Sequence, residues 1–162
     1  MIRSPATTTA ALAWTTVLML TLLAGGCGNG AATNAGTLPT VPMTIGSKTF
    51  TLEIANDAAE REKGLMRRDS MPADHGMIFV FPDEQRLVFY MRNTRIPLDI
   101  IFVNAGGVVV SIKQMRPYDV STTYTDAPAK WAIELNQGQA AAAGLKLGDR
   151  VTIPHAAREP DR

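Results

Sequence analysis

Apolar positions along this chain recur mainly with a period of two, in short runs. Residues 49–55 alternate polar and apolar, which puts Phe50, Leu52 and Ile54 on one face of a half-buried strand. Residues 77–81 (Met-Ile-Phe-Val-Phe) and 98–103 are almost unbroken apolar runs, as expected of strands buried on both faces. Between them residues 86–91 alternate again, with Leu87, Phe89 and Met91 facing one way. Residues 104–107 join the 98–103 strand to a partner over 108–113, the clearest hairpin in the chain. Residues 131–135 predict another strand, with Trp131, Ile133 and Leu135 on one face and Ala132 and Glu134 on the other, and residues 151–153 a last one. Asp57 followed by Glu60 has the spacing of a capping box and Gly64 ends that helix, while an alanine-rich helix over 138–143 stops at Gly144. Residues 82–84 read as a turn and 114–130 as a long polar loop. The predicted fold is mainly β (α+β), a compact roll or barrel of about seven short strands with two short helices. Strands do not alternate with long helices, which excludes a doubly wound sheet, and Gly106-Gly107 lies between two strands, the wrong context for a dinucleotide-binding loop.

Residues 1–27 follow another pattern. One basic residue, Arg3, precedes an apolar stretch that only Thr15, Thr16 and Thr21 interrupt, and Leu23-Ala24-Gly25-Gly26-Cys27 closes it. This is the form of an export signal. Small residues before a lone cysteine resemble the bacterial lipobox, whose cysteine thiol receives diacylglycerol. Ordinary signal cleavage and an uncleaved anchor are the rival readings, although the apolar run falls short of the ~20 residues a spanning helix needs. Cys27 is the chain's only cysteine, so it has no internal disulfide partner, and lipidation gives it a purpose. The expected organisation is a lipoprotein-type signal over 1–27, a flexible tether over 28–42, a single β-rich domain over 43–154 and a polar tail over 155–162. The expected location is outside the cytoplasm, on a membrane held through a lipid on Cys27, facing the periplasm or the cell exterior.

Composition narrows the partners. Hydrophobic residues make up 46% and charged residues 19%, the balance of an ordinary folded protein. After residue 27 there remain 15 basic and 15 acidic residues, a formal charge of zero. A neutral domain has no electrostatic basis for binding nucleic acid, whose affinity rests on phosphate neutralisation. One cysteine and two distant histidines, His75 and His155, offer no metal-ligand spacing, and no cofactor motif is present. The expected partners are the membrane and a small-molecule, glycan or protein ligand, with no metal and no cofactor.

Three ordered motifs resemble a known family. Arg61-Glu62-Lys63-Gly64-Leu65-Met66, then His75-Gly76-Met77-Ile78-Phe79-Val80-Phe81, then Met91-Arg92-Asn93-Thr94 with Ile96-Pro97-Leu98-Asp99, are similar to the signature segments of domain of unknown function 192, and Leu147-Gly148-Asp149-Arg150-Val151 matches its usual ending. The chain departs from the pattern at Arg67, where the family usually has an aromatic, and at Tyr90, which replaces a frequent tryptophan. Its 114–125 loop also lacks the cysteines some members carry. The resemblance implies a small β-rich fold with frequent export or lipid anchoring, and it implies no settled reaction.

The candidate chemistry gathers around the bend of residues 89–99. Asp99 shares a strand face with Ile101 and Val103, where a carboxylate is costly unless bonded. Backbone amides or the Thr94 hydroxyl of the bend would satisfy it, or Arg68, Arg92 or Arg95 would pair with it. Alternatively Asp99 serves a ligand, with Arg92 and Asn93 presenting donors. The candidate binding residues are Arg68, Arg92, Asn93, Thr94, Asp99, Tyr124 and Glu134. The leading expectation is a non-catalytic, lipid-anchored binding or accessory module of the envelope. The alternative is a carbohydrate- or cell-wall-acting enzyme using Asp99 and Glu134, whose two carboxyls would have to converge in one cleft.

Overall fold

The structure, a computed structural model, describes residues 38–160. The signal region, with Cys27, lies outside the described residues. Among the latter the elements run β1 (Thr40–Ile45), β2 (Lys48–Ala55), α1 (Ala58–Lys63), β3 (His75–Gln85), β4 (Val88–Phe89), β5 (Leu98–Val103), β6 (Val109–Met115), β7 (Thr123–Tyr124), β8 (Ala129–Asn136) and α2 (Gln139–Ala142), with a 3-10 turn at His155–Ala157. The fold is mainly β, as the alternation predicts. Six strands form one sheet in the order β1-β2-β3-β8-β5-β6, and β4 pairs with β7 in a separate ribbon. Only β2 and β3 pair in parallel, with α1 in the crossover between them.

The sheet stays open, with β1 and β6 as its edges, so the barrel form of the expectation is not realised. The reason is visible in the side chains. A closed barrel has one interior, whereas this sheet carries an apolar core on each face. Phe50, Leu52, Ile78, Ile101, Ile133 and Leu135 belong to the first, which α2 and the 145–157 segment cover with Ala140, Leu145, Ile153 and Ala157. Met77, Phe79, Leu98, Ile100, Phe102 and Ala132 belong to the second, covered by Leu65, Leu87, Met91 and Ile96. All six residues of β5 are buried, which is why its sequence shows no alternation.

Several boundaries differ from expectation. Thr40–Ile45 forms an edge strand where a tether was expected up to residue 42. Residues 82–84 continue β3 through an irregularity against β8 and form no turn. The 86–91 run keeps its inward Leu87 and Met91 but pairs over only two residues. Residues 151–153 form no strand; Val108 bridges Arg150, and the Val151 amide donates to the Gly107 carbonyl at 2.9 Å. The expected polar tail docks at its start. Ala157 is fully buried, and its carbonyl accepts the Trp131 indole N–H at 2.8 Å.

Candidate functional site

Two segments rise over the second face of the sheet and leave a cleft between them. One is α1. Asp57 caps it reciprocally with Glu60: the Glu60 amide donates to Asp57 at 2.7 Å and the Asp57 amide to the Glu60 carboxylate at 3.2 Å. Arg61 then ties α1 to the end of β3. Its Nη1 donates to the carbonyls of Asn56 at 2.8 Å and Val80 at 2.9 Å, and its guanidinium lies 5.2 Å from the centre of the Phe81 ring. Gly64 ends the helix at φ 45°, and a Cβ there would press on the Phe79 ring at 3.3 Å.

The other segment is the 89–97 bend. The Thr94 amide donates to the Met91 carbonyl at 3.0 Å, the Met91 amide to the Asp119 carbonyl at 2.8 Å, and the Tyr118 amide to the Thr94 carbonyl at 3.1 Å. The Arg67 amide donates to the Asn93 carbonyl at 2.8 Å, which straps the end of α1's loop to the bend. Arg67, Asn93 and Tyr118 have φ of 64°, 61° and 59°, a region that asparagine adopts readily but that costs residues such as Arg67 and Tyr118 about 1–2 kcal/mol. Strained backbone of this kind concentrates at binding and catalytic sites.

The cleft has a volume of about 210 Å³, walled by Phe79, Phe81, Phe89 and Tyr90, with Thr94 and Glu134 at its inner end. Phe89 packs edge-on against Phe79 and Phe102, with ring centres 5.1 and 5.7 Å apart, so the walls are held firmly. An adjoining depression of about 470 Å³ shares Glu62, Lys63, Met66 and Tyr90 with it and reaches Arg67, Arg92 and Asn93. Lys63, Arg67 and Arg92 make the mouth cationic, with Glu62 as the only acidic residue lining it.

Glu134 is the unusual member. It is only 5% exposed, on β8, directly opposite Met77 and Ile100 on the neighbouring strands. Every fully enclosed side-chain nitrogen or oxygen among the described residues has a hydrogen-bond partner. No donor among them reaches Glu134, so its carboxyl must open toward the cleft it lines. Burial alone pushes that carboxyl from the ordinary 4.5 up to about 8, and at neutral pH it is mostly protonated. In that form it can donate one hydrogen bond. Ionised, it is a buried anion that a cation would stabilise.

The remaining candidates divide sharply. Thr94 lines the same cleft as Glu134, and Arg92 and Asn93 line the adjoining depression, Arg92 lying 5.5 Å from the Tyr90 ring centre. Arg68 is committed elsewhere, in a two-pronged pair with Glu53 at 2.5 and 2.6 Å. Tyr124 is exposed on β7 opposite Val88 and does not line the cleft. Arg95 pairs with Asp69 at 2.5 Å. Asp99 faces the other core: it is 2% exposed, pairs across strands with Leu135 and accepts the Ala140 amide at 2.9 Å. Cross-strand partners share a face, so Asp99 and Glu134 project from opposite sides of the sheet and cannot act on one substrate. This corrects the expectation that the bend's own amides or Thr94 would hold Asp99, and it removes the two-carboxylate arrangement of the glycan-hydrolysing alternative.

Phe79, Phe89, Lys63 and Arg67 were not among the residues expected at the site. Their signal was indirect: three of the four lie in or beside the motif segments. A larger depression of about 640 Å³ lies between β1 and residues 145–154, but its charged side chains serve the backbone. Asp149 accepts the Lys146 amide at 2.8 Å and Arg150 donates to the Gly106 carbonyl at 3.0 Å.

Comparison with known proteins bears on the family and leaves the chemistry open. No curated protein matches the chain. Among solved structures, a protein of unknown function from Novosphingobium aromaticivorans is 39% identical, with a TM-score of 0.66, covering 72% of this chain and 86% of that one. A protein named a candidate transcription regulator from Sinorhizobium meliloti is 32% identical, with a TM-score of 0.65, covering 70% of this chain and 91% of that one. Residues 41–153 match domain of unknown function 192, described as an uncharacterized ACR, and the chain belongs to that family.

Proposed function

We propose that this domain is a ligand-binding module of the cell envelope, tethered to a membrane by a lipid on Cys27, and that its ligand occupies the cleft between α1 and the 89–97 bend. The observation that carries the reading is the Glu134 carboxyl, only 5% exposed and opening into an aromatic-walled cavity with no protein donor bonded to it among the described residues. A carboxyl in such apolar surroundings is poorly solvated, and a ligand that supplied a partner would gain from meeting it. Positive φ at Arg67 and Asn93, both at the mouth, supports the same site. The neutral charge after residue 27 lends no support to carrying over the regulator description of the Sinorhizobium protein as DNA binding.

Two measurements test the two parts. A broad fragment screen, read by amide NMR of the labelled full chain, should shift Phe79, Phe89, Thr94 and Glu134. Fragments that shift only residues elsewhere would remove the cleft from consideration. Cys27→Ala should release the protein from the membrane fraction, and unchanged membrane association would sink the lipid tether.

A further inference from the structure

We infer that the cleft is built for a zwitterion: a molecule whose basic nitrogen enters to meet Glu134 and whose anionic group stays at the mouth with Lys63, Arg67 and Arg92. The inference rests on the cleft being the binding site and names the class of molecule it takes.

The two ends of the cavity have opposite chemistry. The cleft that Glu134 lines is walled mainly by aromatic and aliphatic side chains with the Thr94 hydroxyl, and α1 adds Arg61, Glu62 and Lys63. From α1, Arg61 lines the cavity with its Nη1 given to two backbone carbonyls, and Glu62 and Lys63 line both the cavity and its rim. From the bend, Tyr90 and Thr94 face the cavity, and β3 contributes the apolar Phe79 and Phe81. Among the described residues Glu134 is in no ion pair. An incoming ammonium would pair with it, and the faces of Phe79, Phe89 and Tyr90 favour a cation as well. At the outer end the balance reverses. Three cationic side chains face one carboxylate, and none of the three is in an ion pair among the described residues. A ligand with a cation alone would have to pass this positive rim. A ligand with an anion alone could accept the proton of neutral Glu134 but would be repelled once that carboxyl ionises. A zwitterion satisfies both ends.

Binding of this kind has a proton signature. Glu134 holds its proton at neutral pH and must give it up to pair with an ammonium, so complex formation releases a proton to solvent. Affinity should then rise as pH increases from 6 to 8 and level off above.

The test uses the full chain and three matched probes: 4-(aminomethyl)benzoate, which carries both charges, benzylamine, with only the cation, and 4-methylbenzoate, with only the anion. A graded set of ω-amino carboxylates (β-alanine, γ-aminobutyrate, ε-aminocaproate) samples length. The expected result is that a zwitterion shifts the cleft amides and raises Tm, binds at least tenfold tighter than either single-charge probe, and does so more tightly at pH 8 than at pH 6. Calorimetry in buffers of different ionisation enthalpy should show proton release. Glu134→Gln should abolish the pH dependence and the preference for the amine, and Arg92→Ala should weaken the preference for the carboxylate, with both proteins folded by their amide spectra. Equal binding of 4-methylbenzoate and the zwitterion, or affinity that falls through pH 8 because a neutral carboxyl is the donor, would overturn the zwitterion while leaving the cleft as the site. Uncharged fragments that shift the cleft amides where every zwitterion fails would do the same. A cleft silent in the broad fragment screen would end both readings.

Discussion

Asp99 and Glu134 stand one ladder step apart on adjacent strands, both almost completely buried, and they are satisfied in opposite ways. Asp99 meets the Ala140 amide against a packed core, and its Oδ2 has a fixed partner. Glu134 meets no donor and opens into a cavity. Depth of burial therefore does not separate a bracing carboxylate from a functional one. What separates them is the surroundings: a backbone amide on one face of the sheet, a cleft on the other.

The largest effect that would sharpen this contrast is the pH dependence of stability. The folded-state value of Glu134 is raised from 4.5 to about 8, so the unfolded chain loses its proton first. The associated stability is fully present below about pH 4.5 and is lost as pH climbs through about 8. At about 1.4 kcal/mol per pH unit, the loss across that window is roughly 3–5 kcal/mol. Urea unfolding at pH 5 and pH 9 should show it in the native chain, and Glu134→Gln should flatten the slope. Identical slopes in both proteins would mean that Glu134 does not titrate abnormally, and the contrast with Asp99 would collapse.

Next in size is Gly76→Ala. Gly76 pairs with Leu135 and so lies on the closed, Asp99 side. A Cβ there would collide with the Glu134 carbonyl oxygen and stand 2.6 Å from Leu135 Cδ2 and 2.9 Å from Leu52 Cδ2. Central strands cannot shift to accommodate it, and the expected cost is about 2–3 kcal/mol by thermal or urea unfolding. A change under about 0.5 kcal/mol would show that this face yields more readily than its packing implies.

Asp99 itself gives a smaller, graded effect. Asp99→Ala leaves the Ala140 amide without an acceptor and should cost about 1–3 kcal/mol. Asp99→Asn keeps an oxygen in place and should cost about 1 kcal/mol or less. Neither should alter probe binding in the cleft, which lies on the other face. Loss of binding at unchanged stability would break the separation of the two faces.

How far the sequence shows all this depends on the range of the interaction concerned. Burial on both faces left β3 and β5 as unbroken apolar runs, and a local capping box announced α1 through Asp57 and Glu60, so these were legible. The alternation in β8 correctly put Glu134 on the Ala132 face. It could not say that Asp99 would find its donor in Ala140, 41 residues along the chain. The cleft was illegible for the same reason: Glu134 comes together with Phe79 and Thr94 only once the order β3-β8-β5 is known. The start of β1, residues 40–42, was read as tether because small and turn-forming residues dominate 28–41 without a period, yet an edge strand tolerates Pro42 because one side of it needs no donor. The docked start of the tail depends on one indole N–H, from Trp131, reaching Ala157.

The smallest effect bears on the rim of the open side. Arg67 holds φ of 64° with a full side chain, while its amide bonds the Asn93 carbonyl. Glycine at this position would relieve about 1–2 kcal/mol of left-handed strain and lose about 0.5–1 kcal/mol to greater freedom in the unfolded chain. Arg67→Gly should therefore stabilise the protein by about 0.5 kcal/mol, read as a slightly higher urea midpoint. The same substitution removes one of three cations from the mouth and should weaken zwitterion binding severalfold. Opposite signs for stability and binding are what a strained, functional rim requires. If stability and binding fell together, Arg67 would be a brace like Asp99, and the boundary between the closed and open sides would move to the edge of the cleft.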